Sequence, residues 1–425
     1  MKLLLILGGN ALVLLALWRW LQSQRRVPKL GHFVLPTLAV RLISGALSAA
    51  SPSADAVYFQ LWARRFTRQL WEEPGQWLQT LISDEFHFAG NHLVFHGYSN
   101  TLFLIKVLSA LNLFSGGSAL LNALYLSLAS FVGCWYLVRV LSQLFPGTRG
   151  AGIGALLLWP SALYWSTGIT KESLLLASGT GLLAVTLWLL YGPPQPGRWR
   201  LVLAAMVLAV VQFKMRFFFG GALFAALAGL AVVRFAQQLG LARRRWVQAA
   251  VFAAVLLSGA WLASEITPVF RFNKFASQLT RTYSSLQEKS LGRPHIALPH
   301  LAPTAGSIAL YTPKAVASAL FRPFIWEGDS VFYGIAALEN LLLLLLTGLA
   351  VWDVLRGRAA PLPFAVVLSL LIYCFLLATL LGLSTPNLGT LSRYRAPWLA
   401  LYVYVLLSQH TASSWARRFR LFGIE

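Results

Sequence analysis

Long apolar runs separated by short arginine clusters set the pattern of this chain. Runs near 3–18, 33–50, 118–138, 150–167, 173–191, 201–213, 217–235, 246–263, 331–353, 361–383 and 396–409 reach or approach the about 20 residues needed to cross a hydrocarbon core. They predict about eleven transmembrane helices. No dyad alternation of a membrane barrel is present, so the predicted fold class is all-α, a polytopic membrane protein with juxtamembrane helices. The run at 99–114 is shorter and carries Lys106 at its centre, which predicts a helix lying along the membrane surface. The first run has a lone Lys2 before it and no small-residue cleavage site after it, so it predicts a retained span.

Composition excludes the other classes. With 57% hydrophobic and only 11% charged residues, a water-soluble fold is ruled out. A net charge of +22 would suggest nucleic acid in a soluble chain. Here the basic residues directly flank the apolar runs, at Arg19/Arg25/Arg26/Lys29, Arg139/Arg149, Arg198/Arg200, Arg234/Arg243/Arg244/Arg245, Arg356/Arg358 and Arg417/Arg418/Arg420. The positive-inside rule places all six clusters on the cytoplasmic side, so no nucleic-acid partner is expected and the predicted location is a bacterial inner membrane, crossed many times. Loops 51–117 and 264–330 then share the outer face. The predicted organisation is an extra N-terminal span and loop (1–31), a transmembrane module (32–263), the second outer loop (264–330) and C-terminal helices (331–425). Cys134 and Cys374 both lie within apolar runs and read as small core residues.

Candidate chemistry gathers at the outer ends of the spans. Asp55, in Ser51-Pro-Ser-Ala-Asp-Ala-Val-Tyr58, stands within about one turn of a span end, as a general base or metal ligand on one reading and a helix N-cap on the other. Further on, Asp84, Glu85, His87, His92 and His96 hint at a metal, but the spacing lacks a cysteine or a tight motif, and interfacial histidine is the simpler reading. Lys171 and Glu172 join two spans with almost no loop, as a self-satisfied cap or as anion and acceptor contacts. Lys214 and Arg216, then Arg393 and Arg395, are outer cations where the charge rule predicts few. A phosphate-bearing lipid explains them, and snorkelling to lipid phosphates competes. Arg41 and Glu339 fall inside spans, where ionisable groups cost about 2.5–3.5 kcal/mol and face the bundle interior. No nucleotide-binding loop or H-E-x-x-H motif is present, so an activated substrate would come from the lipid.

Taken together, the acidic residue and tyrosine opening the first outer loop (Asp55, Tyr58), the Pro-x4-Trp-Ser-x-Gly-x2-Lys-Glu junction (Pro160 to Glu172) and Arg-Tyr-Arg-x-Pro (Arg393 to Pro397) resemble the GT-C superfamily of integral-membrane glycosyltransferases. Within it, the closest likeness is to a bacterial subgroup with the same short signatures. The resemblance implies transfer of a sugar from a polyprenyl-phosphate donor at the outer face, with Asp55 as general base and Glu172 orienting acceptor or metal. It also implies that Tyr58, Lys171, Lys214, Arg216, Arg393 and Arg395 bind substrate. No cofactor is called for with certainty, and a divalent metal stays open. The chain departs from the family at Ala56, where many members carry a second acid, and in its extra first span. A ligase or polymerase of lipid-linked glycans is an alternative, as is a transporter or flippase of an anionic lipid or solute.

Overall fold

The computed structural model describes residues 2–95, 99–328, 330–358 and 360–418. His96 and Arg420 lie outside the described residues, as does the side chain of Arg417. The chain is helical almost throughout. In order come α1 (Lys2–Arg25), α2 (Val34–Ala50), α3 (Ala54–Glu72) and α4 (Pro74–Ile82), then a two-stranded ribbon of β1 (Glu85–Phe88) and β2 (Asn91–Val94). Next are α5 (Asn100–Ser115), α6 (Ala119–Leu144), α7 (Arg149–Gly152), α8 (Pro160–Trp165), α9 (Lys171–Tyr191), α10 (Arg198–Met215) and α11 (Phe217–Gln238). The rest is α12 (Arg245–Ile266), α13 (Phe272–Glu288), α14 (Ala305–Phe321), α15 (Val331–Leu355), α16 (Phe364–Ser384), α17 (Leu388–Leu407) and α18 (His410–Arg418).

Among the described residues, eight helices are long and apolar enough to cross a membrane: α1, α2 with the short 3-10 turn before it, α6, α9, α11, α12, α15 and α16. At 1.5 Å per residue each spans about 30 Å or more. The protein is therefore an all-α polytopic membrane protein. Three runs expected to span differ in ways that have local causes. The 150–167 run is no single helix: α7 passes into a π-helical stretch at Ile153–Leu158, Trp159 is extended, and α8 restarts at Pro160. Proline cannot donate to the preceding turn and disfavours helix at the residue before it, which explains the break. The other two, α10 and α17, are long enough but carry Arg198, Arg200 and Lys214, and Arg393 and Arg395, respectively. The 99–114 run forms the 16-residue α5, and the 264–330 loop is largely helical through α13 and α14.

The chain divides into two compact units. Unit 1 comprises Met1–Arg139, Leu163–Val185 and Gly197–Gly220. In it α5 packs on α1, α3 and α10. A buried polar seam ties its helices together: Asn122 Nδ2 donates to Gln60 Oε1 (2.9 Å) and Asn112 Oδ1 (2.7 Å), and Asn112 Nδ2 to Thr67 Oγ1 (2.9 Å). Arg41, expected inside a span, is buried there and donates to Ser130 Oγ (2.8 Å) and Ser166 Oγ (3.2 Å).

Unit 2 comprises Val140–Ala162, Thr186–Pro196 and Gly221–Glu425. Its core is α16, against which α12, α13, α14 and α17 pack. Close approach of α14 and α16 depends on Gly382, where an added Cβ would lie 2.2 Å from the Ala315 carbonyl oxygen. Alanine normally stabilises a helix interior by about 0.5–1 kcal/mol relative to glycine. Here the sign inverts, because backbone cannot yield as a flexible side chain would. Gly382→Ala is expected to destabilise unit 2 by about 1–3 kcal/mol, the usual cost of overpacking. Thermal unfolding in detergent checks it, and an unchanged or raised midpoint would contradict the packing argument.

Candidate functional site

The start of α3 is capped by Ser53, whose Oγ accepts from Ala56 N at 3.2 Å. Asp55 is thus not the cap. It stands exposed in the first helical turn, where the helix dipole favours a carboxylate. Tyr58 is 40% exposed and meets the rings of Phe59 and Trp62 at 6.1 and 6.2 Å. Asp55 and Phe59 are four residues apart and share one face of α3.

The Lys171–Glu172 junction comes to that face. Thr170 Oγ1 caps α9 by accepting from Ser173 N at 3.2 Å, which puts both charges in the first turn. Lys171 Nζ lies 5.3 Å from the centre of the Phe59 ring and donates to Asn100 Oδ1 (2.7 Å) and Thr101 Oγ1 (2.8 Å) at the start of α5. Glu172 is fully buried, and its Oε1 accepts from Arg216 Nη2 at 2.9 Å. Arg216 ends α10 in extended backbone and also stands over the Phe219 ring at 5.2 Å. A carboxylate at a helix N-terminus is thereby joined to a guanidinium at a helix C-terminus, and both dipoles favour the arrangement. Of the two readings the sequence leaves for this junction, a self-satisfied cap or ligand contacts, neither includes this longer-range pair. Lys214 is exposed. Burial pushes the Lys106 ammonium below its ordinary value, Asp84 opposes that shift and Lys214 adds to it. Lys106 also donates to the Ser83 carbonyl at 2.5 Å.

Much of the Pro160 to Glu172 signature is explained by packing. Gly168 adopts φ +77°, and a Cβ there would meet Ser48 Oγ at 2.2 Å. Its N–H donates to Ser127 Oγ (2.9 Å), and Thr167 and Ser44 hydroxyls pair at 2.8 Å. Glycine is required at this position on both counts.

On the other side of α3 is a groove of about 420 Å³, lined by Ser48, Pro52, Val57, Leu61, Arg64 and Arg65 among others. Arg64 Nε donates to Gly117 O (2.9 Å), while Arg65 stacks on Trp62 at 4.4 Å and donates to Asn91 Oδ1 (3.2 Å). Apolar walls with two guanidiniums suit an amphiphile carrying a negative head. Nothing in the spacing of Arg64 and Arg65 distinguishes them in sequence from helix-surface arginines.

Arg393 and Arg395 belong to unit 2. Arg393 is half-buried near the start of α17. Arg395 is buried, its Nη1 donating to the carbonyls of Ala319 (3.3 Å), Leu320 (3.1 Å) and Arg322 (3.1 Å) and its Nη2 to Asn340 Oδ1 (2.6 Å). These contacts engage both terminal nitrogens of its guanidinium. Arg322 pairs with Glu327, and Glu339 accepts from Ser161 N (2.9 Å) and Oγ (2.5 Å), giving that intramembrane carboxylate its partner. Six of the eight residues selected from the sequence therefore lie in unit 1, where Glu172 pairs with Arg216 and the adjacent Lys171 stands against Phe59 of α3. Comparison with protein-family models, curated proteins and solved structures finds no match to this chain.

Proposed function

We propose that the protein is a membrane glycosyltransferase that moves a sugar from a polyprenyl-phosphate donor to an acceptor hydroxyl. The observation that carries this reading is the setting of Asp55: an exposed carboxylate sharing a face of α3 with Phe59, against which Lys171 stands, on a helix whose opposite side lines a groove with Arg64 and Arg65. Asp55 takes the acceptor's proton as the hydroxyl oxygen attacks C1 of the sugar, and the bond from C1 to the phosphate oxygen breaks with inversion. Charge developing on the departing polyprenyl phosphate falls to the cations of unit 1, foremost Lys214 and the solvent-facing edge of Arg216. Glu172 acts through Arg216, which it holds in position.

The test is transfer from a panel of radiolabelled polyprenyl-phosphate hexoses and pentoses by the protein reconstituted in vesicles. Asp55→Asn keeps the shape and the helix start but loses basicity, so turnover is expected to fall at least about 100-fold while the unfolding midpoint stays put. Undiminished turnover in Asp55→Asn, or no transfer from any donor in the panel, would remove the proposal.

A further inference from the structure

The hairpin between α4 and α5 holds a second constellation, independent of the reading above. Its register pairs Glu85 with Val94, Phe86 with Leu93, His87 with His92 and Phe88 with Asn91. Side chains alternate across a strand and directly opposed residues share a face, so Glu85, His87 and His92 all project to one side. Burial agrees: Phe86 and Phe88 are buried, whereas Glu85, His87 and His92 are exposed. The buried side is anchored, with Phe86 stacked on Phe66 at 4.2 Å and 7° and set edge-on to Trp62 at 6.0 Å. The two-residue turn Ala89-Gly90 has φ +49° and +74°, the positive angles of a type I′ hairpin, which fixes the register. Gln69 Nε2 donates to His87 O at 3.1 Å and ties the strand to α3. The three outward side chains thus stand on a rigid support.

Their heads converge. The His87 and His92 rings stack with centroids 3.8 Å apart, and His87 Nε2 is 3.3 Å from Glu85 Oε2. One ligand atom from each of the three lies within 4.8 Å of the other two. Tetrahedral coordination at about 2.0–2.2 Å requires ligand atoms about 3.4 Å apart, so small rotations about χ2 of the imidazoles complete the set. Two imidazoles and one carboxylate suit a transition-metal ion of the zinc group and not Ca²⁺ or Mg²⁺, which take oxygen ligands. We infer that Glu85, His87 and His92 form a Zn²⁺-type binding site with one coordination position open to water. The competing account is a His87–Glu85 hydrogen bond between exposed groups two residues apart on one strand, worth little in water. The ion would bridge both strands of a hairpin that on its own has few backbone pairs.

The experiment is calorimetric titration of Zn²⁺ into the untagged full-length protein in detergent, repeated with Co²⁺ to read the ligand field by absorption. One saturable site with Kd of about 10 µM or tighter is expected, with Co²⁺ absorption typical of four-coordinate nitrogen and oxygen ligation. His87→Ala/His92→Ala should weaken binding at least about tenfold, and Glu85→Gln to a smaller degree. All three side chains point to solvent and the Phe86–Phe66 stack is untouched, so an unchanged unfolding midpoint without metal verifies that the variants fold. Absence of saturable binding below about 100 µM, or undiminished affinity in the double histidine variant, would overturn the site.

Discussion

Arg216→Ala is expected to lower the stability of unit 1 by about 3–5 kcal/mol, the cost of leaving one partner of a buried ion pair uncompensated. The magnitude follows from burial. Glu172 has no solvent exposure and the Arg216 side chain only 13%, so water cannot replace the lost guanidinium. Surface pairs such as Arg68 with Glu72, 68% and 47% exposed at the side chains, contribute far less in spite of a shorter distance. Position on the helix adds to the effect, since the α10 C-terminus loses a favourable charge–dipole term with Arg216, as the α9 N-terminus would with Glu172. Chemical or thermal unfolding in detergent measures the loss. Removing both charges in Glu172→Leu/Arg216→Met should recover most of it, because replacing a buried pair by apolar residues of similar size is often neutral. A single alanine variant within about 1 kcal/mol of wild type would show that the pair is solvated in the native protein, against the geometry described above.

How much of this was legible in the sequence differs by level. The helical membrane class follows from apolar runs alone, because hydropathy and length are local properties and the bilayer selects on them directly. Continuity of each run is less local. Pro160 signals a break, but the π-helical turn before it depends on how Ile153–Leu158 packs, chiefly against α17. At the candidate site, residue types were readable and partners were not. Asp55 looked like a cap in Ser-Ala-Asp, yet Ser53 fills that role, a choice set by where the backbone enters the helix. Glu172 looked paired with its neighbour Lys171, but successive residues on a helix diverge by about 100°, and the two turn to Arg216 and to Asn100 respectively. A partner 44 residues away leaves no trace in local spacing. The hairpin was hidden for another reason. Its turn is Ala89-Gly90 and not the usual Asn-Gly or Asp-Gly, and four-residue strands give too short an alternation to register.

Arg395→Ala is expected to destabilise unit 2 by about 3–5 kcal/mol, since it removes the donor for several buried acceptors at once. The last carbonyls of a helix have no intrahelical partner, and those of α14 at Ala319 and Leu320 meet the Arg395 guanidinium together with Arg322 O just beyond the helix. Positive charge at this end also complements the helix dipole. The fork's other nitrogen holds Asn340 Oδ1, and Asn340 Nδ2 in turn donates to Pro323 O at 2.9 Å, so one side chain organises the 322–327 connection as well as the end of α14. Arg395→Lys should recover only part of the loss. A lysine ammonium offers donors from a single point and cannot span acceptors that two guanidinium nitrogens divide between them. A double-mutant cycle with Asn340→Ala should show a coupling of about 0.5–3 kcal/mol, as expected for residues in one hydrogen-bond network. The same variants separate this role from phosphate binding. If Arg395→Ala left unfolding within about 1 kcal/mol of wild type while weakening affinity for polyprenyl phosphate, the guanidinium would be serving a ligand and not the helix end. Loss of stability with Arg395→Lys intermediate places its energetic role in the fold of unit 2.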